Sequence, residues 1–350
     1  MDTPSVKMLN AAIANADRTV DRTIVGAHVL ARFPAHRATV SRLSLTFDSA
    51  RNSGPETMIA KQCGGDAFAS EGIPEIRFYR ELSPLAAHLP IPACLGWTID
   101  LEARSTLLLV EDLSDRYERI TAPVSRHAIE LIVEEIAAIH AFFWNHPKLD
   151  GDLFAMPRDN ETRMPQAKPP AVIEANAAFL EQQLAAFNDG FRAELDPTET
   201  GLLGALRKQW RALFQQRVRS GNITLIHGDF HLLGNLFTSK TTDAIRFIDW
   251  ADCKPGLAPH DIAYCLISAP TLDRITRDTS VLRRYHQQLL NRGITGYGWD
   301  QCLWDYRFSL LTNLLQCVLQ RSLVWFRKTM AIIHVWRCAE LLSPPSQIRD

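Results

Sequence analysis

A chain of 350 residues that is 46% hydrophobic and 22% charged holds enough apolar material for one large or two medium folded units, which excludes a disordered protein. A formal net charge of -1 gives no basic excess for nucleic acid, and seven cysteines with no CxxC pair exclude a disulfide framework or a structural zinc site. No apolar run approaches the roughly 18–20 residues of a membrane span, and the start MDTPSVKMLN lacks a basic segment followed by an apolar one, so the expectation is a cytoplasmic protein, a monomer or weak homodimer with no nucleic-acid or membrane partner.

After a polar start, residues 23–33 and 39–47 read as two β runs joined by a turn at 34–38, and 48–56 is a loop by composition. Residues 57–61 form a short apolar strand that ends in Lys61. The stretch 74–82, PEIRFYREL, is helical, with Ile76, Tyr79 and Leu82 at core spacing, and it carries Glu75. Two more strands at 94–99 and 106–110 follow, the second running into Glu111, Asp112 and Leu113.

From there the pattern turns helical. Ser125 is a good N-cap for a helix over 127–146, whose apolar face is Ile129, Ile132, Val133, Ile136, Ile139 and Phe143; His140 near that face reads as a satisfied core residue. Five prolines within 147–170 mark a long surface loop, and helices are expected at 172–188 and 198–219. Beyond residue 265 the chain reads as helices at 281–292, 299–326 and 328–342, rich in aromatics such as Trp299, Trp304, Tyr306, Trp325 and Trp336.

Residues 223–267 carry the chemistry. An apolar run at 223–226 leads into His227, Gly228 and Asp229; Asn235 follows, and a second apolar run at 244–248 delivers Asp249. This is strand, polar loop, strand, polar loop, a hairpin that brings the three side chains together. Asn235 and Asp249 then offer oxygens to Mg²⁺ held against a nucleotide, and Asp229 is left to face a substrate hydroxyl. Taken singly, Asp, Asn and Gly between strands are what any turn uses. The combination is more specific.

The order His-x-Asp, Asn, Asp is that of a protein-kinase catalytic loop and its metal aspartate. With Gly228 after the histidine and Asp261 in HDIAY, the chain resembles the aminoglycoside phosphotransferase and choline kinase superfamily, and its downstream stretch is similar to the ecdysteroid-kinase-like branch. The resemblance covers roughly residues 55–265. It implies an α+β, bilobal protein-kinase-like fold: a small antiparallel sheet with one helix at 1–112 that binds nucleotide, and a larger, mainly helical lobe at 113–350 with the catalytic loop and acceptor site. It implies an ATP- and Mg²⁺-dependent phosphotransferase acting on a small-molecule hydroxyl acceptor. Asp229 would be the base; His231, where protein kinases carry a lysine, would donate to the transferred phosphate. Lys61 would bind the α/β-phosphates with Glu75 behind it, as the E-x-x-F-Y pattern suggests, and Glu111 and Leu113 would read the adenine through their main chain. Asp261 would accept hydrogen bonds from the catalytic-loop backbone.

Asn235 stands six residues after Asp229, where the superfamily has five, so a bulge is expected within 231–234 with Gly234 taking the unusual backbone angle. Two other readings remain open from the residues: a catalytically weak kinase-like protein that binds nucleotide or a partner, and a hydrolase using His227, Asp229 and His231 as metal ligands.

Overall fold

A computed structural model of the chain describes residues 3–16, 23–35, 37–48, 56–150, 170–217, 222–269 and 274–342. Most of the loops expected at 48–56 and 147–170, and His36 of the expected turn, lie outside the described residues. In chain order the elements begin with α1 (Val6–Asn15), β1 (Ile24–Phe33), β2 (Ala38–Phe47), β3 (Thr57–Gly64), α2 (Ile73–Arg77), β4 (Cys94–Asp100), β5 (Ser105–Glu111) and β6 (Tyr117–Arg119). They continue with α3 (Arg126–Phe142), α4 (Pro170–Gly190), α5 (Pro197–Arg217), β7 (Thr224–Ile226), β8 (Leu236–Ser239), β9 (Ile245–Phe247) and β10 (Lys254–Gly256). The chain ends in α6 (Pro259–Ser268), α7 (Arg274–Asn291), α8 (Trp299–Leu319) and α9 (Leu323–Val335). Among the described residues no helix is long and apolar enough to cross a membrane.

Two compact units result, one made of residues 1–120 and 234–253, the other of 121–233 and 254–350. In the first, β1 to β5 form an antiparallel sheet in the order β1-β2-β3-β5-β4, and a three-stranded sheet runs β6-β8-β9. The core lies where Leu9, Ala12 and Ile13 of α1 meet Leu43, Met58, Ala60, Leu107 and Leu109 of the sheet. Side chains alternate across a strand, so with Met58 and Ala60 in this core, Lys61 is turned to the opposite face. The sequence gives little warning of α1, whose polar residues conceal a buried stripe; Ser5 caps it, its hydroxyl accepting the Met8 N–H at 3.3 Å. The first unit thus has a second helix beyond the one expected. Helix and sheet approach so closely at Gly96 that a Cβ there would lie 2.6 Å from the Ala12 carbonyl oxygen.

The strand bearing Lys61 does not end at that residue. It continues to Gly64, with Lys61 opposite Val40 on β2 and Leu108 on β5, because pairing on both sides carries the extended backbone past the charge.

The second unit is mainly helical. Ser125 caps α3 through its hydroxyl, which accepts the Ala128 N–H at 3.0 Å, and Ile129, Ile132, Val133, Ile136 and Ile139 are buried on its inner face. The single helix expected over 299–326 is two. Arg321 takes a left-handed angle (φ 52°), the Ser322 N–H reaches back to the Cys317 carbonyl at 3.0 Å, and the Ser322 hydroxyl caps α9. A left-handed residue followed by this long back-bond terminates a helix even without glycine.

Candidate active site

In the first unit, the face of β3 opposite α1 carries Lys61, and its ammonium lies 2.7 Å from Glu75 Oε2 and 2.5 Å from Asp249 Oδ1. Burial alone would lower the lysine's proton affinity, but the two carboxylates outweigh it and hold it well above the usual lysine value. Burial raises Glu75, with Lys61 pulling the other way. Glu75 is fixed at its second oxygen by the Trp250 N–H at 3.3 Å, and Trp250 is held in turn by stacking on Phe78, with ring centroids 4.3 Å apart and planes 6° apart. Ile248 and Asp249 lie between the end of β9 and Trp250, and Asp249 takes a left-handed conformation (φ 66°) that turns its carboxylate out of the strand's alternation.

Asn235 enters through the β8–β9 ladder. Leu236 pairs with Phe247, and one step further the Ile248 N–H donates to the Asn235 carbonyl at 2.9 Å, so the backbone of Asn235 is clipped beside the residue preceding Asp249. The donor chemistry, a carboxylate and an amide oxygen, suits Mg²⁺. Among the described residues no group of three or more His, Cys, Asp or Glu could hold a metal.

Glu111 and Leu113 follow β5. The Glu111 N–H donates to the Ala93 carbonyl at 2.9 Å, and the Leu113 carbonyl accepts from Arg116 and Tyr117 at 3.1 and 2.8 Å. The Leu113 N–H has no hydrogen-bond partner among the described residues. Asp112 between them receives Arg42 Nε at 2.5 Å; burial would raise its carboxyl, but hydrogen bonds from Ser114 and Arg42 hold it below the usual range. This stiffens the segment.

In the second unit, β7 leads to His227, Gly228 and Asp229. Gly228 takes the left-handed angle (φ 82°), and Gly234, expected to need it, does not. The irregular backbone lies instead at 229–231, where the His231 N–H returns to the Asp229 carbonyl at 2.7 Å, and at a turn over 232–234. The loop hangs on Asp261, near the N-terminus of α6: its carboxylate accepts the His227 N–H at 2.7 Å, the Gly228 N–H at 3.0 Å and His140 Nε2 at 3.1 Å. Burial alone would raise Asp261, but the bond and charge of His140, with His260 and His227 nearby, keep it below the ordinary carboxylate value. The His231 ring stands edge-on to Trp325, with centroids 5.5 Å apart, and burial holds it below the usual histidine range, so it is neutral at pH 7.

A family model described as "Phosphotransferase enzyme family" matches residues 45–302, most of the chain. The chain belongs to this phosphotransferase family. In fold it is similar to amicoumacin kinase hAmiN in complex with AMP-PNP, Ca2+ and Ami (14% identity, 91% of this chain and 90% of that one, TM-score 0.54). It is similar as well to a GDP complex of an aminoglycoside 2′-phosphotransferase variant (12% identity, 92% and 94% covered, TM-score 0.53) and to choline kinase from Cryptosporidium parvum (13% identity, 90% of each chain, TM-score 0.50). No curated protein matches the chain in sequence. The bilobal, protein-kinase-like α+β fold expected from the sequence is the fold of this phosphotransferase.

Two residues that the sequence leaves without a role help to position the candidate site residues. Trp250 links Glu75 to β9, and its signal was its position directly after Asp249. Tyr285 places its hydroxyl 2.6 Å from His140 Nδ1 and so fixes the ring that supports Asp261; 145 residues of separation leave no local pattern to find it by.

Proposed function

We propose that this phosphotransferase is an ATP- and Mg²⁺-dependent small-molecule kinase that moves the γ-phosphate to an alcohol oxygen. The observation that carries the reading is the Lys61 ammonium shared between Glu75 and Asp249, an arrangement suited to grip α/β-phosphates beside a cation. Lys61 binds the phosphates and Glu75 holds its flexible stem. Asn235 and Asp249 would hold Mg²⁺, which when bound neutralises phosphate charge. The Leu113 N–H and the Glu111 carbonyl receive the adenine edge.

Asp229 orients the acceptor hydroxyl and takes its proton as the oxygen bonds to the γ-phosphorus; the bond to the β-phosphate oxygen breaks and ADP leaves. His231, neutral, donates one hydrogen bond to the transferred group. Asp261 presents the loop through its backbone bonds. The solved neighbours are named for amicoumacin, an aminoglycoside and choline, which supports a small molecule as acceptor; the place near the ecdysteroid-kinase-like branch rests on the downstream motif alone. The reading also takes the protein as cytoplasmic, a monomer or weak homodimer. A screen of hydroxyl compounds for acceptor-dependent ADP formation tests it. ADP formation that needs an acceptor and Mg²⁺ and disappears in Asp229→Asn supports it; turnover indifferent to ATP removes it.

A further inference from the structure

The second unit surrounds His231 with rings and one cation. Beyond the Trp325 contact, His231 meets Tyr264 of α6, with centroids 6.4 Å apart and planes at 65°. His231, Tyr264 and Trp325 are each only partly buried, so this aromatic wall borders solvent. Exposed Lys328, one turn along α9 from Trp325, sets its ammonium 4.6 Å from the centre of the indole ring. We propose that the acceptor of this enzyme is an alcohol with a flat apolar body and an anionic group, the body lying against Trp325 and Tyr264 and the anion paired with Lys328. The proposal rests on the phosphotransferase reading above, with Asp229 facing the hydroxyl.

Three observations carry it. The indole of Trp325 is the best surface here for a ligand's cation, but Lys328 already occupies it, so a quaternary ammonium or a polyamine would have to displace a like charge. Lys328 has no carboxylate within ion-pair distance among the described residues, which leaves its charge to an anionic ligand. Its neighbour Arg327 is committed elsewhere, to Glu199 and the Glu194 carbonyl. The positive charge also reaches the catalytic loop, since Lys328 acts with burial to hold His231 neutral against the pull of Asp229. His231 Nδ1 is buried with no hydrogen-bond partner among the described residues, a polar group that a substrate oxygen would satisfy after the ring turns over.

Two acidic side chains of the second unit already have partners. Asp305 accepts from Tyr297 and Gln301, and Glu340 pairs with Arg307 and Arg337. An exposed charge pair changes affinity by roughly threefold, and inverting the ligand's sign acts twice, so a ratio of about tenfold between matched anion and cation is expected.

Three probes of one shape test this: para-(hydroxymethyl)benzoate, para-xylylene glycol and para-(hydroxymethyl)benzylamine, titrated by saturation-transfer NMR into the full chain, with ADP binding measured in parallel. Wild type is expected to rank benzoate over glycol over amine, with about tenfold between the extremes. Lys328→Glu, at an exposed position that does not threaten folding, is expected to reverse the order, and Trp325→Ala to weaken all three. An amine that binds wild type as tightly as the benzoate, a ranking that Lys328→Glu leaves unchanged, or no binding of any probe at millimolar concentration overturns the acceptor assignment while ADP binding keeps the phosphotransferase reading. Failure to bind ADP overturns both.

Discussion

Glu75 holds Lys61 at 2.7 Å through one carboxylate oxygen and accepts the Trp250 N–H at 3.3 Å through the other. A single buried side chain therefore ties the β3 lysine to the segment that carries Asp249. Glu75→Gln keeps the shape and the Trp250 bond but removes the charge that opposes the lysine. Nucleotide affinity is expected to fall about tenfold or more, because the ammonium then leans on Asp249 alone. Calorimetric titration with ADP checks it, and an unaltered dissociation constant would refute the role.

Asp261 is expected to matter for stability as well as activity. It is fully buried and accepts two backbone N–H groups and a histidine, so Asp261→Asn trades charge-assisted bonds for weaker ones and leaves one amide hydrogen facing a donor. The expected loss is about 3 kcal/mol, from bonds to a charged group worth about 1.5–3 kcal/mol each. Its folded pKa is depressed, so the unfolded chain binds more protons near the ordinary carboxylate value. The stabilisation is then complete above about pH 5 and declines as pH falls through the unfolded value near 3.9 towards the folded one. Urea melts of wild type and variant from neutral to acid pH should converge at the acid end; a constant gap would mean that Asp261 acts by shape and not by charge.

Asp229→Asn should bind ADP as wild type does and fold with an unchanged Tm, but lose at least about a hundredfold in turnover, since a positioned base contributes about 10²–10⁴. A split of this kind, with nucleotide affinity intact and kcat lost, separates a base from a structural residue. Turnover at the wild-type rate with a verified acceptor rules Asp229 out as the base.

The elements most legible in the sequence were those with a local signal. The Ser125 cap and the apolar stripe of α3 announce a helix because cap and period lie within the element. Lys61 and Asp249 were singled out by motif, yet their approach to 2.5 Å spans 188 residues and no local pattern contains it. The break at Arg321 was not readable, because the left-handed angle falls on an arginine and not on a glycine or proline. Gly234 shows the reverse: a permissive residue in the right place was expected to take the strain, and Gly228 takes the left-handed angle instead. Permission to adopt a conformation is not demand for it.

The last prediction concerns Asn235, six residues after Asp229. The extra residue would be harmless if the chain beyond it re-enters its ladder in register, and the backbone of Asn235 does so: its carbonyl accepts the Ile248 N–H at 2.9 Å, directly beyond the Leu236–Phe247 pair. Upstream, the Leu232 side chain is buried and its N–H donates to the Ser268 hydroxyl at 3.0 Å, so the irregular turn is pinned before it reaches Asn235. With the backbone fixed beside Ile248, the Asn235 side chain is expected to share a cation with Asp249. Asn235→Ala should then shift the Mg²⁺ dependence of turnover to about tenfold higher concentration, a second-ligand effect, while Asp249→Ala abolishes Mg²⁺-dependent nucleotide binding. Overlapping Mg²⁺ titrations for wild type and Asn235→Ala would leave Asp249, phosphate oxygens and water as the whole shell, and would show that the longer spacing has taken Asn235 out of the metal site.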